Sequence, residues 1–455
     1  MKVTIDTTIF RDYDIRGIYP EQINENTFYI IGRAIASYIA GNKIAAGRDM
    51  RLSSPSLFKS LTSGILDQGV NVVDLGMIST EMLYFASGKY DFTGSVIISA
   101  SHNPADYNGI KIVKQGALPL HGYYGLPQIK ELAVKQNFPN PKNKGSISNF
   151  SIIDDWTAHA LSFIKIDSLS SLRIVIDAGN GMGGISWQKL MNILPIKIIP
   201  LYFEPDGHFP HHLPDPIKKE NITDLQKEIL QKKADLGFAL DGDADRLFVL
   251  DEKGQILSGT VTSAILAASM LEKYGPGPVL YNTVCGKIVP QTVKKLGGRA
   301  LRVRVGHSFI KEQMRKTKAL FAGEHSGHFY FRDNFYADSS LIAGLILLEY
   351  ISKKNISLSE IVKSFDKYPQ SGEINYKVKS ADEILAGIEN SFAGTCFIDH
   401  IDGLSVWYKD WWFNLRASKT ESYVRLNIEA DNKTILAKQT GRLESLMQKL
   451  GGTHA

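Results

Sequence analysis

The segment Val96-Ile97-Ile98-Ser99-Ala100-Ser101-His102-Asn103-Pro104 changes from apolar to polar at its centre. Its three β-branched residues favour a buried strand, and the Ser, Asn and Pro that follow favour a loop. Ser101 is therefore expected at the carboxyl end of a strand, where open α/β sheets place their ligands. Taken alone, the segment fits an ordinary strand-to-loop turn equally well.

Strand-like and helical patterns alternate over most of the chain, which indicates an α/β protein. In the first part the patterns predict strands over residues 44–46, 70–74, 96–99 and 110–113, and helices over 27–39 and 57–68. Residues 138–149 are rich in Asn, Pro, Lys and Ser and are expected to form a linker.

A chain of 455 residues is too long for one ordinary hydrophobic core. We expect four domains, over residues 1–150, 151–250, 251–368 and 369–455. The first three show α/β patterns. The fourth shows amphipathic strands with a helix near residue 381 and a closing helix after Asp431.

Composition excludes several classes of protein. The chain is 44% hydrophobic and 22% charged, with a formal net charge of +5, which argues against a nucleic-acid partner. Two distant cysteines, Cys285 and Cys396, exclude a disulfide scaffold and favour a cytoplasmic location. The N-terminal residues lack the pattern of a signal peptide, and the longest apolar run, residues 341–348, is too short to span a membrane.

A second polar segment, Asp241-Gly242-Asp243-Ala244-Asp245-Arg246, follows an apolar strand pattern. Three carboxylates at alternate positions of one turn can converge on Mg²⁺ or Ca²⁺. The spacing partly fits a calcium-binding EF-hand loop with Glu252 at its twelfth position, although Arg246 stands where that loop needs glycine. A phosphatase of the haloacid-dehalogenase type, which also uses Asp-x-Asp after a strand, is another alternative, although Asp245 does not fit its pattern.

Two further segments carry polar groups suited to a sugar phosphate. In Gly323-Glu324-His325-Ser326-Gly327-His328, the carboxylate can accept hydrogen bonds from two hydroxyl groups. A zinc site of Glu324, His325 and His328 is the competing interpretation, but the spacing is not a helical zinc motif. Arg416-Ala417-Ser418-Lys419-Thr420-Glu421 combines cations and hydroxyls as a phosphate-binding loop does, although a polar surface turn would look similar.

The segment Gly179-Asn180-Gly181-Met182-Gly183-Gly184 matches the G-x-G-x-x-G pattern of dinucleotide-binding proteins, and Glu204 lies at a suitable distance. The acidic and sugar-binding segments have no place in a dehydrogenase. We therefore interpret the glycines as a tight connection between a strand and a helix.

Together and in this order, the four polar segments resemble those of the α-D-phosphohexomutase family, specifically its phosphomannomutase/phosphoglucomutase branch. The resemblance starts at Tyr13-Asp14-Ile15-Arg16-Gly17, includes Gly47-Arg48-Asp49-Met50-Arg51-Leu52-Ser53-Ser54, and ends at Arg425-Leu426-Asn427-Ile428-Glu429-Ala430. It implies three related α/β domains and a C-terminal α+β domain that resembles the TATA-binding protein, arranged around a central cleft.

The resemblance also implies a reaction and the residues that perform it. Phosphorylated Ser101 would exchange its phosphoryl group with a hexose phosphate through a hexose 1,6-bisphosphate, which also serves as activator. The implied Mg²⁺ ligands are Ser101, Asp241, Asp243 and Asp245. The implied catalytic residues are Ser101, His102, Lys111, Arg246 and His307. The implied substrate-binding residues are Tyr13, Arg16, Glu324, Ser326, His328, Arg416, Ser418, Lys419 and Thr420. Which of Lys111, His307 and His102 acts as the base stays open.

Three positions depart from the pattern of the family. Ser99 replaces a more usual Thr, Lys419 stands where Asn or Gly is common, and Val284 stands where this branch often has a basic residue that Lys287 does not clearly replace. The segment Asp410-Trp411-Trp412-Phe413-Asn414-Leu415 resembles bacterial phosphomannomutases that supply GDP-mannose synthesis. We therefore expect mannose phosphate as the substrate, and a monomer or homodimer.

Overall fold

The computed structural model of the protein describes residues 3–139, 141–418 and 423–454. The chain folds into two compact units. The first runs to Ser258 and also contains Gly306–Phe321 and Ser326–Ser359. The second contains Gly259–Val305, Ala322–His325 and the chain from Glu360. The segment predicted as the third domain contributes residues to both units.

The first part of unit one alternates strands and helices around a mixed sheet. The strand order is β1-β5-β4-β2-β3-β7, with β6 beside β5. The elements are β1 (Ile15–Ile18), α1 (Glu25–Ile39), β2 (Lys43–Arg48), α2 (Ser54–Leu66), β3 (Asn71–Met77), α3 (Thr80–Lys89), β4 (Gly94–Ile98), β5 (Tyr107–Lys114), β6 (Leu118–Pro119), α4 (Leu126–Lys135) and β7 (Ile147–Asn149).

Strand β4 lies in the middle of this sheet and is buried along its whole length. It runs parallel to β2 and antiparallel to β5. Apolar residues of α1, α2 and α4 pack with those of the central strands into one core, which includes Phe28, Leu57, Val96 and Ile129. A rigid, buried strand therefore supports the polar loop that begins at Ser99.

The second part of unit one contains a smaller sheet in the order β11-β10-β8-β9. Strands β8, β9 and β10 are parallel, and β11 returns antiparallel to β10. The elements are α5 (Ile153–Leu161), β8 (Arg173–Asp177), α6 (Gly183–Leu190), β9 (Lys197–Leu201), α7 (Thr223–Lys232), β10 (Leu236–Leu240) and β11 (Leu247–Asp251).

Residues 259–362 continue the alternation. Strands β12 and β13 are parallel, and β15 and β16 form an antiparallel pair. The elements are α8 (Gly259–Tyr274), β12 (Pro278–Asn282), α9 (Ile288–Lys295), β13 (Arg299–Val303), α10 (His307–Thr317), β14 (Phe321–Gly323), β15 (Phe329–Phe331), β16 (Ala337–Asp338), α11 (Ser340–Lys354) and α12 (Leu358–Val362).

The C-terminal part of unit two is a sheet in the order β18-β19-β20-β21-β17-β22. Helices α13 and α14 pack on it, and their apolar residues share a core with Trp411, Phe413 and Leu426. The elements are β17 (Gln370–Lys377), α13 (Ala381–Phe392), β18 (Phe397–Asp399), β19 (Leu404–Trp407), β20 (Trp411–Ala417), β21 (Tyr423–Ala430), α14 (Lys433–Lys449) and β22 (Thr453–His454).

The predicted alternation of strands and helices is confirmed, but the linker over residues 138–149 needs a correction. Its last residues, Ile147–Asn149, form a strand that pairs in parallel with Val72, Val73 and Asp74 of β3. Asn140 lies outside the described residues. Among the helices that the structure describes, none combines the length and apolar character needed to cross a membrane.

Candidate active site

Ser101 lies in the loop that leaves the carboxyl end of β4. It is buried, and its φ of +52° is a left-handed conformation that few residues other than glycine adopt. Its Oγ lies 3.0 Å from Oδ2 of Asp241 and 3.1 Å from Nδ1 of His102. The hydroxyl proton therefore has two acceptors within reach.

The predicted acidic triplet follows β10, and all three carboxylates are buried. One oxygen from each of Asp241, Asp243 and Asp245 lies within 4.8 Å of the others. The Oδ1 atoms of Asp243 and Asp245 are buried and receive no hydrogen bond from the described residues. Buried carboxylate oxygens without donors are what Mg²⁺ or Ca²⁺ would bind, so the donor set fits the metal that the sequence implied.

Glycine is required inside this acidic segment because two loops approach closely. A Cβ atom at Gly242 would lie 2.5 Å from the carbonyl oxygen of Ser101. On its other side, the N–H of Met182 donates to the carbonyl of Gly242 over 2.9 Å. The glycine-rich segment 179–184 connects β8 to α6 and supports the acidic loop, which confirms its interpretation as a tight connection.

Lys111 lies on β5, and its Nζ is 2.6 Å from Asp243 Oδ2 and 2.7 Å from Asp245 Oδ2. Although burial opposes it, the charge of these two carboxylates holds the pKa of Lys111 well above its usual value. The pKa of Asp243 is well below its usual value although burial opposes this shift. The charge and the hydrogen bond of Lys111 lower it, and so does the hydrogen bond from the hydroxyl of Thr80. In contrast, burial and the other two carboxylates raise the pKa of Asp241.

Arg246 contacts three members of the site. Its Nη2 lies 3.1 Å from Nδ1 of His102, its Nε donates to Nε2 of His328 over 3.1 Å, and Nε is also 3.5 Å from Asp241 Oδ2. A guanidinium can only donate, so Nδ1 of His102 accepts and carries a lone pair. Burial and the nearby Arg246 charge lower the pKa of His102 well below its usual value, which keeps the ring neutral.

The other predicted residues of unit one are Tyr13, Arg16, His307, Ser326 and His328. Arg16 pairs with Asp14 and donates to the side chain of Asn103, two residues after Ser101. His307 is the first residue of α10, and its ring centroid is 5.2 Å from that of Tyr13. Burial lowers the pKa of His307 well below its usual value, and its Nδ1 has no hydrogen-bond partner among the described residues. Ser326 is half-buried.

His328 is held by charged groups. Its Nδ1 lies 2.9 Å from Oδ2 of Asp338, whose Oδ1 is 2.7 Å from Nζ of the fully buried Lys311. His325 instead hydrogen-bonds through Nδ1 to Oγ1 of Thr260 over 2.9 Å. The two histidines thus each have another partner, which gives the alternative zinc site no support.

In unit two, Glu324 is buried at the end of β14. The side-chain amide of Asn282 donates to Glu324 Oε2 over 3.1 Å, and its carbonyl accepts from the backbone N–H groups of Val284 and Cys285. The orientation of Asn282 is thereby fixed by the turn that follows β12. Lys287 is directed elsewhere, because its Nζ lies 3.3 Å from Oδ1 of Asp431, so it does not supply a cation at Val284.

The predicted phosphate-binding segment follows β20. Arg416 lies opposite Arg425 on β21. Their guanidinium groups flank Glu373 at 3.5 and 3.4 Å. Two cations against one carboxylate leave a net positive charge here. Ser418 is half-buried, whereas Lys419 and Thr420 lie outside the described residues.

Sequence reasoning did not assign a role to several residues that the structure places at these groups. Thr80, at the start of α3, donates to Asp243 Oδ2 over 2.5 Å. Arg51 is buried beneath the Ser101 loop, and Asn282 supports Glu324. Arg51 belongs to a segment that the sequence resemblance included, whereas no local pattern distinguishes Thr80 or Asn282.

Comparison with family models matches most of the chain. The models of phosphoglucomutase/phosphomannomutase α/β/α domains I, II and III match residues 7–135, 153–254 and 258–368. A phosphomannomutase of Salmonella montevideo is 39% identical over 432 residues, which cover 93% of this chain and 95% of that protein.

Solved structures agree with these matches. A phosphoglucomutase/phosphomannomutase family protein of Burkholderia thailandensis has a TM-score of 0.91 and 31% identity, covering 99% of this chain and 100% of that one. An Aspergillus fumigatus N-acetylphosphoglucosamine mutase, in complex with GlcNAc-6P and magnesium, shares the fold at a TM-score of 0.61 and 12% identity, covering 97% and 96% of the two chains.

The fold, three α/β/α domains followed by a sheet-rich C-terminal domain, and these matches define the class as sugar-phosphate mutases, which are isomerases. The chain belongs to the α-D-phosphohexomutase family, as its motifs predicted, and has phosphomannomutase/phosphoglucomutase activity. The family is metal-dependent. The alternatives of a calcium-binding module and a haloacid-dehalogenase phosphatase are not favoured, and the acidic loop joins two antiparallel strands rather than two helices.

Proposed function

We propose that the protein interconverts hexose 6-phosphate and hexose 1-phosphate, and that Ser101 carries the phosphoryl group between turnovers. The observation that carries this proposal is the contact of Ser101 Oγ with Asp241 at 3.0 Å, beside the buried Asp243 and Asp245. A hydroxyl next to a cluster of metal-ligating carboxylates is what phosphoryl transfer needs at one end of the reaction.

The forward transfer forms one bond and breaks one. The O1 hydroxyl of a hexose 6-phosphate attacks the phosphorus of phosphorylated Ser101, the bond from phosphorus to Oγ breaks, and Oγ receives a proton as O1 loses its own. The product is a hexose 1,6-bisphosphate. In the second transfer, after the bisphosphate has reversed its orientation, Ser101 Oγ attacks the phosphorus of the 6-phosphoryl group and the bond from that phosphorus to O6 breaks. O6 receives a proton as Oγ loses its own, which yields hexose 1-phosphate and restores phosphorylated Ser101. Added hexose 1,6-bisphosphate would phosphorylate Ser101 in the same way and so act as activator.

A divalent cation, proposed to be Mg²⁺, would be held by Asp241, Asp243, Asp245 and a phosphoryl oxygen on Ser101, and would offset the charge of the transferring group. Lys111 and Arg246 are permanent cations in the same cluster. They would stabilise the additional negative charge that a bound phosphoryl group brings.

We propose that neutral imidazoles, rather than Lys111, accept the protons that the attacking hydroxyl groups release. His102 Nδ1 lies 3.1 Å from both Ser101 Oγ and Arg246 Nη2, so it can accept the proton of Ser101 in the second transfer once Arg246 has turned from it to the phosphoryl group. His307, neutral and with an unpartnered Nδ1, is the candidate base for the substrate hydroxyl. Lys111 is held in its charged form by two carboxylates and serves as a charge partner.

The sugar and its distant phosphate would bind to the other predicted groups. Glu324, Ser326 and His328 would contact the hexose, with Tyr13 and Arg16 at the phosphoryl end. The phosphate would bind to Arg416, Ser418, Lys419 and Thr420, where the pair Arg416 and Arg425 provides the net positive charge. The A. fumigatus mutase bound to GlcNAc-6P supports the same class of ligand.

Mannose phosphate is the proposed substrate, with a role in GDP-mannose synthesis. The phosphomannomutase of S. montevideo, which matches over 93% of this chain, supports this proposal. The comparison to make is turnover of mannose 1-phosphate against glucose 1-phosphate with hexose 1,6-bisphosphate present. Faster turnover of glucose 1-phosphate would overturn the mannose assignment. The cytoplasmic location, the four domain boundaries and the monomeric or homodimeric state stay predictions from the sequence.

The central test is the substitution Ser101→Ala. Wild-type protein incubated with glucose 1,6-bisphosphate should gain one phosphoryl group, located at Ser101 by mass spectrometry, and S101A should gain none and lose turnover. The matched control is Ser95→Ala, because Ser95 is buried in β4, the strand that leads to Ser101, and its Oγ makes no hydrogen bond to the described residues. Turnover by S101A near that of S95A would overturn the role of Ser101.

A further inference from the structure

Arg51 makes more contacts to the Ser101 loop than any group assigned above. Its Nη2 donates to the carbonyl oxygens of Ser101 and Asn103 over 2.8 and 2.6 Å. Its Nη1 donates to the carbonyl oxygens of Pro104 and Tyr107 over 2.5 and 3.0 Å. The side chain of Arg51 is completely buried. One guanidinium therefore satisfies four backbone acceptors along the loop that leads from β4 to β5.

The conformation of the loop explains why such support is needed. Ser101 has a positive φ, a conformation that costs non-glycine residues on the order of 1 kcal/mol. Carbonyl oxygens of an irregular loop also have no partner in a sheet or helix, so burying them without donors is costly. Arg51 supplies donors to the carbonyl of Ser101 itself and to carbonyls further along the loop, and thereby favours this one conformation.

The guanidinium is itself fixed in place. Its Nε lies 3.3 Å from Oδ2 of Asp49, and its centre lies 5.2 Å from the ring of Phe209. Asp49 is held in turn, since its Oδ1 accepts from the N–H of Arg51 and from the hydroxyl of Ser54 over 2.6 Å. A planar group fixed on both sides can act as a rigid template for the backbone that it contacts.

We propose that Arg51 is a positioning residue that sets the direction of Ser101 Oγ toward Asp241 and His102. It does not touch the reacting atoms, because all its contacts with the loop are to backbone carbonyls. The inference rests on the proposed role of Ser101 as phosphoryl carrier. This role gives a function to residues 47–54, none of which takes part in the mutase reaction described above.

The first test is Arg51→Lys, with Arg48→Lys as the matched control. Lysine keeps the charge but lacks the planar fork that reaches four carbonyls. Arg48, three residues earlier, pairs with Asp74 and stacks on Phe58, away from the loop. For R51K we expect kcat to fall about ten- to a hundredfold, as misplacement of a reacting group by about 1 Å does. KM should stay within about threefold, and R48K should match wild type.

A second variant separates positioning from general loss of structure. In Arg51→Ala, methylguanidinium at concentrations below those that denature should restore phosphoryl transfer to Ser101, whereas methylammonium should not. Equal kcat in R51K and R48K, or a rise in KM as large as the loss of kcat, would overturn the role of Arg51. Absence of rescue in folded R51A would overturn it too. If wild-type Ser101 itself gains no phosphate, the proposed function fails instead.

Discussion

Nζ of Lys111 and Oδ2 of Asp243 lie 2.6 Å apart in the interior of unit one. The ammonium group is also 2.7 Å from Asp245, so one cation neutralises part of the charge of the acidic triplet. Removing charged groups from water costs free energy, and a buried charge is tolerated only when an opposite charge lies beside it. Lys111 thus stabilises the folded protein before any divalent cation binds.

The substitution Lys111→Gln should make the stability of the protein depend on Mg²⁺. Without metal, the variant retains three buried carboxylates with one cation fewer, and we expect it to lose roughly 3 kcal/mol of stability. Mg²⁺ would supply the missing positive charge. Thermal unfolding in EDTA and in Mg²⁺ should therefore show a larger metal-induced rise in Tm for K111Q than for wild type.

Lys114→Gln is the control for this measurement, because Lys114 lies on the same strand but over the ring of Tyr38, at 4.7 Å. Its metal-induced rise in Tm should equal that of wild type. An equal rise in K111Q would show that Lys111 does not share the charge of the metal-binding carboxylates. Turnover of K111Q is expected to fall in either metal condition.

Because of Glu81, the free energy of unfolding of the protein should decrease as the pH rises from 5 to 7. Burial raises the pKa of its carboxyl from 4.5 to about 8, although the hydroxyl of Ser339 and the N–H of Leu341 oppose the rise. In that pH range the folded protein keeps the proton while the unfolded chain releases it, so unfolding becomes easier by about 2 kcal/mol. Glu81→Gln removes this dependence, and urea unfolding at both pH values measures it. Exposed Glu131→Gln is the control, and an unchanged pH dependence in E81Q would contradict the prediction.

The sequence predicted the loops of the site because strand and loop differ locally in polarity. The buried strand β4 and the polar residues after it stand side by side in the chain, and the same holds for β10 and the acidic triplet. The exposed residues Ile147–Asn149 show no apolar alternation, so their sequence predicts a linker, and only their pairing with β3 makes them a strand.

The supporting contacts could not be predicted because their partners are remote in sequence. Arg51 meets carbonyl groups 50 to 56 positions away, and Lys111 meets Asp243 132 positions away. No local pattern encodes such a pairing. The pKa directions depend on the same contacts, so the sequence left the base open among Lys111, His307 and His102, whereas the surroundings of Lys111 in the structure favour the charged form.

The pKa of His212 should lie above the usual value of a histidine side chain. Its Nδ1 lies 2.9 Å from the carbonyl of Leu213 and its Nε2 lies 3.1 Å from Asp177 Oδ2, so both nitrogens face acceptors. Although burial opposes it, the hydrogen bond and charge of Asp177 raise the pKa of His212. Protonated His212 stabilises the folded protein fully at pH values below the pKa near 6.5 that the ring has in the unfolded chain. This stabilisation is lost as the pH rises through the higher pKa that the ring has in the folded protein.

The substitution Asp177→Asn should lower the pKa of His212, measured from the Cε1 proton in an NMR titration. Asparagine keeps an oxygen for the N–H of Gly179, which donates to Oδ1 over 2.8 Å, but it removes the charge. Asp206→Asn, at an exposed site that contacts His208, should leave His212 unchanged. A His212 pKa in D177N equal to that of wild type would show that Asp177 does not control it.

Asn282→Asp should weaken sugar binding without affecting phosphorylation of Ser101. The Nδ2 group that donates to Glu324 over 3.1 Å becomes an oxygen, so two acceptors face each other and Glu324 must turn away. We expect KM for hexose phosphate to rise about tenfold, as the loss of one hydrogen bond to a charged group would cause. Labelling of Ser101 by glucose 1,6-bisphosphate in excess should remain complete. Asn390→Asp, on the exposed face of α13, is the control for added charge. An unchanged KM in N282D would mean that Asn282 does not orient Glu324 for the sugar.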